Sequence, residues 1–421
     1  MLKRIPVDQV CLGMYVQELC GPWLDHPFWK TRFVIRDVGD LTKLQGSNVK
    51  EIWIDASKGL DVTSAAEETT AVEAATPIAP AEEPEPIAEV PALPDVSPGR
   101  ADLRSELPRA AALINQARDT VTSLFNEARM GRAIDVDRCL PLVDEIASSV
   151  WRNPGAIISL SRLKTHDQYT YMHSVAVCAL MVALARQLGM NEDETREAGM
   201  AGLLHDMGKA AMPIDVLNKR SKLTDAEFGI MKTHPGAGHA MLAEGGAVGA
   251  MTLDVCLHHH ERPDGKGYPH GLSGTALTRA ARMGAVCDVY DAITSNRPYK
   301  NAWDPADSIA KMASWKGQFD PMVFQAFVKS LGIYPIGSLV SLKSERLAVI
   351  VDQGAGSLTM PLVKVFYSIK SRAPLRVELV DLSAPGCEDA IAARESIEKW
   401  KLPQLDALWA GDETLRQVGY V

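Results

Sequence analysis

The chain has 421 residues, of which 46% are hydrophobic and 23% are charged, a composition typical of a globular protein. At about 100–200 residues per domain, this length corresponds to roughly two to four domains. The longest nearly uninterrupted apolar run covers 11 residues, 175–185, whereas a membrane-spanning helix needs about 20. The N-terminal residues also lack the apolar core of a signal peptide. We therefore predict a cytoplasmic protein without a membrane span.

The formal net charge of −9 is unevenly distributed. No Lys or Arg occurs between Lys58 and Arg100, and this stretch contains nine acidic residues. The remainder of the chain is balanced, so no domain-wide basic excess indicates duplex nucleic acid as a partner, although a local patch could bind a small phosphate ligand. The seven cysteines are scattered without a C-x-x-C pair, which is typical of reduced thiols.

Residues 1–62 are predicted to form a small α+β domain. Apolar stretches at 13–19, 33–37 and 51–55 predict short strands, and residues 41–49 are consistent with a helical turn between them. Residues 63–100 are rich in Ala, Glu and Pro. The seven prolines in this acidic segment exclude a regular helix and predict an extended linker.

The pattern from 101 to 335 is helical. Apolar residues three and four positions apart predict helices over 103–130 and 135–151. Thr224 and Glu227 have the spacing of a capping box at a helix start. Beyond these helices, residues 336–421 show alternation that predicts a β-rich C-terminal extension, with a final helix over 387–399.

Histidines and aspartates are concentrated between positions 173 and 288. Imidazole nitrogen and carboxylate oxygen are ligands of divalent transition metals, and a carboxylate can bridge two ions. Asp206 follows the apolar run 198–204, so its carboxylate needs a partner once buried. A single core histidine is usually only hydrogen-bonded, and the run 258–260 could be a surface turn. The set as a whole predicts a metal site: His173, His205, Asp206, His234, His258, His259, His260 and Asp288.

Three segments resemble the HD-GYP family, a branch of the HD metal-dependent phosphohydrolases: HDMGK at 205–209, HHERPDGKGYP at 259–269 and DVYDAITSNRPYK at 288–300. The resemblance covers about residues 150–335. Residues 1–62 look like the small N-terminal domain often attached to this family. The implied fold is mainly α, with an all-helical HD-type phosphohydrolase domain preceded by connecting helices and flanked by the small α+β domain and a short β-rich tail. The implied boundaries are 101–150 for the connecting helices and 151–335 for the HD-GYP domain.

The resemblance implies hydrolysis of the bacterial messenger cyclic di-GMP to pGpG, and it leaves open whether pGpG is hydrolysed further to GMP. It implies two divalent transition-metal ions, iron or manganese first, with nickel, zinc, magnesium and cobalt as alternatives. Asp206 is expected to bridge them, and His258 is not expected to be a ligand. Members with three metals carry a glutamate four residues before the first histidine, where this chain has Tyr169. The expected ligands are His173, His205, Asp206, His234, His259, His260 and Asp288.

Asp206 and Lys209 are the expected catalytic residues. Lys209 lies three residues after Asp206 and could contact the scissile phosphate or protonate the leaving group, unless it is a surface lysine at a helix end. The expected substrate-binding residues also include Arg297 and Lys300, which match family residues that hold the ligand's phosphates, since the planar guanidinium suits phosphate. The other two expected substrate-binding residues are Lys209 and Tyr268.

The two glycines and the proline of residues 264–269 predict a loop at the mouth of the pocket. Asp291 shares a helix face with Asp288 and is expected to orient a histidine or Lys209, or else to lie on the surface. The family associates the loop with protein partners of the diguanylate-cyclase type, and a homodimer is a further candidate. Two other functions stay open: hydrolysis of another nucleotide, and a non-catalytic module that binds cyclic di-GMP or recruits partners.

Overall fold

The structure, a computed structural model, describes residues 2–19, 33–46, 49–60, 101–163, 169–219, 221–246, 248–295, 302–354, 357–400, 402 and 405–420. The chain divides into two compact units, Met1–Pro91 and Ala92–Val421. Within the described residues, no helix combines the length and the apolar character that crossing a bilayer requires.

The first unit contains one antiparallel sheet in the order β1-β4-β2-β3, with helix α1 between β3 and β4. Its core includes Ile5, Ile52 and Ile54. The predicted strands are present, but the chain also forms an edge strand, β1, that the sequence analysis missed. The sequence LKRIP offers little alternation, and its proline is tolerated because it ends an edge strand. The elements are β1 (Leu2–Pro6), β2 (Tyr15–Leu19), β3 (Phe33–Val34), α1 (Val38–Gln45) and β4 (Glu51–Asp55).

The second unit begins with twelve helices among its described residues: α2 (Leu103–Arg129), α3 (Leu140–Arg152), α4 (Pro154–Ser161), α5 (Tyr169–Gln187), α6 (Glu192–Leu204), α7 (Ile214–Leu217), α8 (Asp225–Met231), α9 (His234–Glu244), α10 (Ala250–His258), α11 (Arg279–Thr294), α12 (Pro305–Ser314) and α13 (Pro321–Leu331). The two predicted connecting helices are confirmed as α2 and α3, the latter preceded by a short 3-10 helix, Val136–Cys139. Residues 175–185 of α5 are all buried, so α5 is the central helix of this bundle.

The C-terminal part of the second unit is an antiparallel sheet in the order β8-β7-β6-β5-β9. The predicted final helix over 387–399 is wrong for most of its length. Residues 391–394 form β9, which pairs with the free edge of β5, and a helix begins only at Ile397. The backbone partners that β5 offers outweigh the helical preference of IAAR. The elements are β5 (Leu339–Leu342), β6 (Arg346–Gly354), β7 (Ser357–Ser368), β8 (Ala373–Asp381), β9 (Ile391–Arg394), α14 (Ile397–Trp400), α15 (Leu405–Ala410) and α16 (Asp412–Gln417).

A buried acidic residue joins the two connecting helices. Glu106 on α2 is fully buried and accepts hydrogen bonds from Ser149 Oγ at 2.9 Å and from Arg152 Nε and Nη2 at 2.8 and 2.7 Å. Both carboxylate oxygens are thereby satisfied by α3. Removing the carboxylate would leave the mostly buried guanidinium of Arg152 without its counterion.

We expect Glu106→Ala to lower the free energy of unfolding by about 3 kcal/mol, because a charge would be left uncompensated in a largely buried position. Glu127→Ala is the matched control, since Glu127 pairs with Arg138 near the surface, where such pairs contribute less than about 1 kcal/mol. Urea unfolding of the full chain, followed by circular dichroism, measures both changes. Equal losses in the two variants would contradict the assigned role of Glu106.

Candidate metal centre

Five helices deliver seven predicted ligand side chains to one place in the second unit. His173 and His234 lie near the starts of α5 and α9. His205 and Asp206 directly follow α6, His259 and His260 directly follow α10, and Asp288 lies on α11. All except His260 are buried.

The ligand atoms form two groups, and within each group all of them lie within 4.8 Å of one another. Asp206 connects the groups through its two oxygens. Its Oδ2 lies 3.2 Å from His173 Nε2 and 3.4 Å from His205 Nε2, and its Oδ1 lies 3.2 Å from His234 Nε2. The first group is His173, His205 and Asp206, and the second is His234, His259 and His260.

Asp288 also reaches both groups. Its Oδ1 lies 3.2 Å from His173 Nε2, and its Oδ2 lies 3.6 Å from His260 Nδ1. Two carboxylates therefore span the same pair of imidazole groups.

Backbone carbonyls determine which nitrogen of three histidines faces inward. The Nδ1 atoms of His205, His234 and His259 lie 2.8, 2.7 and 3.0 Å from carbonyl oxygens three or four residues earlier in the chain. A carbonyl oxygen can only accept, so each Nδ1 carries the proton, and a neutral ring then has its lone pair on Nε2. Three imidazole lone pairs are therefore directed into the centre.

Asp291 performs the same task for His173. Its Oδ2 lies 2.6 Å from His173 Nδ1, and its other oxygen accepts a hydrogen bond from Ser295 Oγ at 3.3 Å. Asp291 is buried, so it is not a surface residue of α11. The carboxylate orients the ring in the way that partners of metal-bound histidines do.

The geometry between the two ligand groups favours the binding of a cation. The Nε2 atoms of His234 and His259 are 3.3 Å apart. The buried Oδ1 of Asp206 has no hydrogen-bond donor in the part of the chain that the structure describes. Lone pairs and a carboxylate oxygen at these separations repel each other unless a cation lies between them. The imidazole and carboxylate donors therefore fit divalent transition-metal ions.

The carboxylates also set the charge state of His173. Burial lowers its pKa, but Asp206, Asp288 and Asp291 outweigh burial and raise the pKa to about 9. Burial raises the carboxyl pKa of Asp206, yet Lys209 and the neighbouring imidazoles hold that pKa well below its usual range. Asp206 is therefore ionised, and its negative charge suits a cation in the centre.

Two histidines stay neutral at ordinary pH. Burial, reinforced by neighbouring imidazoles, lowers the pKa of His260 to about 3 and that of His259 well below its usual range. Neutral imidazole is the form that binds metals, so both rings are in the ligating state.

Gly208, the glycine of HDMGK, sets the separation between Asp206 and the start of α9. A Cβ at this position would lie 1.8 Å from the carbonyl oxygen of His234 and 2.5 Å from the backbone nitrogen of Gly238. The 3-10 turn Met207–Ala211 can therefore approach α9 only because residue 208 has no side chain.

Lys209 lies beside the centre. Its Nζ donates to Oδ2 of Asp206, and its side chain is 22% exposed. It is therefore not a freely exposed surface lysine. The ammonium group therefore lies against the carboxylate that connects the two ligand groups.

The loop over residues 264–269 packs against the second group. The Tyr268 ring stacks on His260, with ring centroids 4.7 Å apart and an angle of 30° between the planes. Burial raises the pKa of Tyr268 far above its ordinary value, so it remains a phenol. The sequence analysis missed the anchor of the following segment: buried Glu261 accepts from the backbone nitrogens of His270 at 2.6 Å and Leu272 at 3.0 Å.

Lys232 is a second residue that the sequence analysis missed. Its Nζ lies 4.8 Å from the ring centroid of Phe228 and 5.5 Å from that of Tyr268, at the exposed rim of the centre. The only sequence feature that pointed to Lys232 was its position two residues before His234, and a lysine near a helix end does not by itself indicate a functional residue.

Some predicted residues do not join the centre or cannot be placed. His258 turns away, with Nδ1 2.8 Å from Asp254 Oδ1 and Nε2 3.2 Å from His270 Nδ1. Arg297 and Lys300 lie outside the described residues, as does the side chain of Tyr169.

We expect Gly208→Ala to weaken metal binding by about 10–100-fold, because the methyl group would push the 3-10 turn away from α9 and separate Asp206 from His234. Gly236→Ala is the matched control: it lies on the exposed side of α9, and a Cβ there meets nothing within 4 Å. Competition with a chromophoric chelator measures both affinities in the full chain. Wild-type affinity in Gly208→Ala would show that this contact does not shape the centre.

Two protein-family profiles match the chain: a domain of unknown function, DUF3391, over residues 2–139, and the HD domain over residues 156–323. A cyclic di-GMP phosphodiesterase of Pseudomonas aeruginosa is 54% identical over 412 residues, which cover 98% of this chain and 96% of that protein. A cyclic di-GMP phosphodiesterase response regulator of Xanthomonas campestris is 45% identical over 151 residues, covering 35% of this chain and 39% of the relative. A 3′3′-cGAMP-specific phosphodiesterase of Vibrio cholerae is 31% identical over 178 residues, covering 42% and 41%. With this similarity along nearly its whole length, and with its HD domain, the chain belongs to the HD-GYP family of metal-dependent phosphohydrolases.

Proposed function

We propose that this protein hydrolyses cyclic di-GMP to pGpG at a site that holds two divalent metal ions, with cleavage to GMP as an open second step. The proposal is carried by one observation: two groups of three ligands, spanned by the carboxylates of Asp206 and Asp288. The near full-length similarity to a protein named as a cyclic di-GMP phosphodiesterase supports the choice of substrate.

The first ion would be held by His173 and His205, and the second by His234, His259 and His260, with Asp206 and Asp288 reaching both. When bound, the ions would lower the pKa of water and screen the charge of the phosphate. We propose iron or manganese, with nickel, zinc, magnesium and cobalt as alternatives, since imidazole and carboxylate suit several of these ions. Tyr169 replaces the glutamate of three-metal members, so the proposed number of ions is two.

The protein's own groups would position the phosphate and move the proton. Lys209, held by Asp206, would face the phosphodiester and protonate the departing ribose oxygen or stabilise its negative charge. Tyr268 is a phenol in this environment and can donate a hydrogen bond to the substrate. Arg297 and Lys300 are proposed to bind the phosphates of the ligand.

We expect Asp206→Ala to lose both bound metal and turnover, because both ligand groups lose their shared carboxylate. Lys209→Ala should keep its metal and lose about 10²-fold in kcat, since it removes a proton donor but no ligand. Metal analysis and chromatographic detection of pGpG, on the same anaerobically purified full-length samples, separate the two effects. Lys311→Ala, an exposed lysine of α12, is the control. Normal activity in Asp206→Ala would show that the ligand assignment is wrong.

Chelation should abolish hydrolysis of cyclic di-GMP, and added iron or manganese should restore it, because the buried acids need a cation to hold the site together. The same assay with 3′3′-cGAMP, cyclic di-AMP and linear nucleotides tests the alternative of another nucleotide substrate. The similarity to a 3′3′-cGAMP-specific enzyme is the reason for including 3′3′-cGAMP. Turnover of linear nucleotides alone would reject the proposal. Full metal occupancy with tight ligand binding and no turnover would instead favour a binding module.

The proposal extends to location and partners. The location that we propose is the cytoplasm. The loop over residues 264–269 is the proposed contact for a protein of the diguanylate-cyclase type, since it lies at the rim of the centre beside exposed Lys232.

A further inference from the structure

Strand β8 forms one edge of the C-terminal sheet. It pairs with β7 on one side, and no strand among the described residues pairs with its other side. It is nine residues long, and Leu375, Val377 and Leu379 are 38%, 48% and 58% exposed. Proteins usually protect such an edge by shortening it or by interrupting it with proline. The proline of β8 lies at its second position and leaves the rest of the strand intact.

We propose that β8 pairs with β8 of a second copy of this chain, antiparallel and centred on Val377, so that the two five-stranded sheets join into one. In this register Leu375 faces Leu379 of the partner subunit, and Val377 faces the partner subunit's Val377. Directly opposed residues share a face of the sheet, so the apolar side chains of both copies form one continuous stripe.

The charges of β8 are complementary in the same register. Arg376 faces Glu378 of the partner subunit, and the two-fold axis repeats the pair. Arg376 makes no ion pair with any residue that the structure describes, and Glu378, which contacts Arg346 at 3.4 Å, keeps 64% of its side chain exposed. Both groups are therefore available to a partner.

Other registers are disfavoured by the sequence. A shift that moves the centre by one residue places Arg376 opposite the partner subunit's Arg376, or Glu378 opposite the partner subunit's Glu378, and like charges that face each other destabilise a pair. A centre that lies midway between Val377 and a neighbouring residue would set the apolar face of one strand against the charged face of the other. The centre at Val377 is the register that satisfies both patterns.

A second copy suits this edge better than the chain's own linker. The seven prolines of residues 63–100 cannot donate hydrogen bonds to a β-ladder, and that segment contains no basic residue before Arg100, its last position, to face Glu378. A strand with matched charges about its own centre is, by contrast, what a two-fold interface requires, because the same surface must complement itself.

The test uses the full-length protein in analytical ultracentrifugation over a range of concentrations. We expect wild type to dimerise, and Arg376→Glu to weaken the dimer by roughly tenfold, because glutamates would then face each other twice. The double swap Arg376→Glu with Glu378→Arg should restore association, since each pair again has opposite signs. Lys370→Glu, which makes the same charge change in the preceding turn, should have no effect.

A crosslink tests the register independently of folding effects in the charge variants. Val377→Cys should form a disulfide-linked dimer under mild oxidation, because opposed residues of an antiparallel pair are within disulfide reach, and wild type supplies the background from native thiols. A monomeric wild type, a dimer insensitive to Arg376→Glu, or a double swap that fails to restore association would each overturn the proposal. None of these readouts depends on the catalytic activity.

Discussion

The metal centre depends on the buried carboxylate of Asp206. A carboxylate without water must be matched by positive charge or by hydrogen-bond donors, and Asp206 has these on one side only. Its Oδ2 meets Lys209, His173 and His205, whereas its Oδ1 faces His234 without a donor. The surrounding structure holds Asp206 in this position, because Gly208 allows the turn that follows Asp206 to pack closely against α9.

Helix ends explain how ligands from distant parts of the chain acquire a common orientation. The last carbonyls of a helix have no partner within it. The Nδ1 atoms of His205 and His259 donate to such carbonyls, those of Gly202 and Cys256, at the ends of α6 and α10, and His234 Nδ1 donates to that of Met231 at the end of α8. The same contact satisfies the helix terminus and turns Nε2 toward the centre. Placing each histidine just after a helix therefore serves both folding and ligation.

The sequence was sufficient to predict a helical region over 101–335, and the family resemblance supplied the ligand residues that the structure places close together. Spacing alone placed Asp288 and Asp291 on one face of a helix, and the structure shows them on the two nitrogens of His173. The strand β9 and the contacts of Lys232 were not predictable in this way. Both depend on partners that are remote in sequence, the free edge of β5 and the ring of Tyr268. Local secondary-structure propensity cannot predict such partners. The division of the chain into the predicted domains stays a prediction.

The two ligand groups differ in how far the protein compensates its own charge. In the first, the ammonium group of Lys209 offsets the acids, and the carboxylates outweigh burial and raise the pKa of His173 to about 9. In the second, burial keeps His259 and His260 neutral and leaves Oδ1 of Asp206 without a donor. An ion there would face three imidazoles together with oxygens of Asp206 and Asp288, whereas an ion in the first group would lie beside the ammonium group of Lys209. The two ion positions that we propose therefore differ in the charge that the protein places beside them.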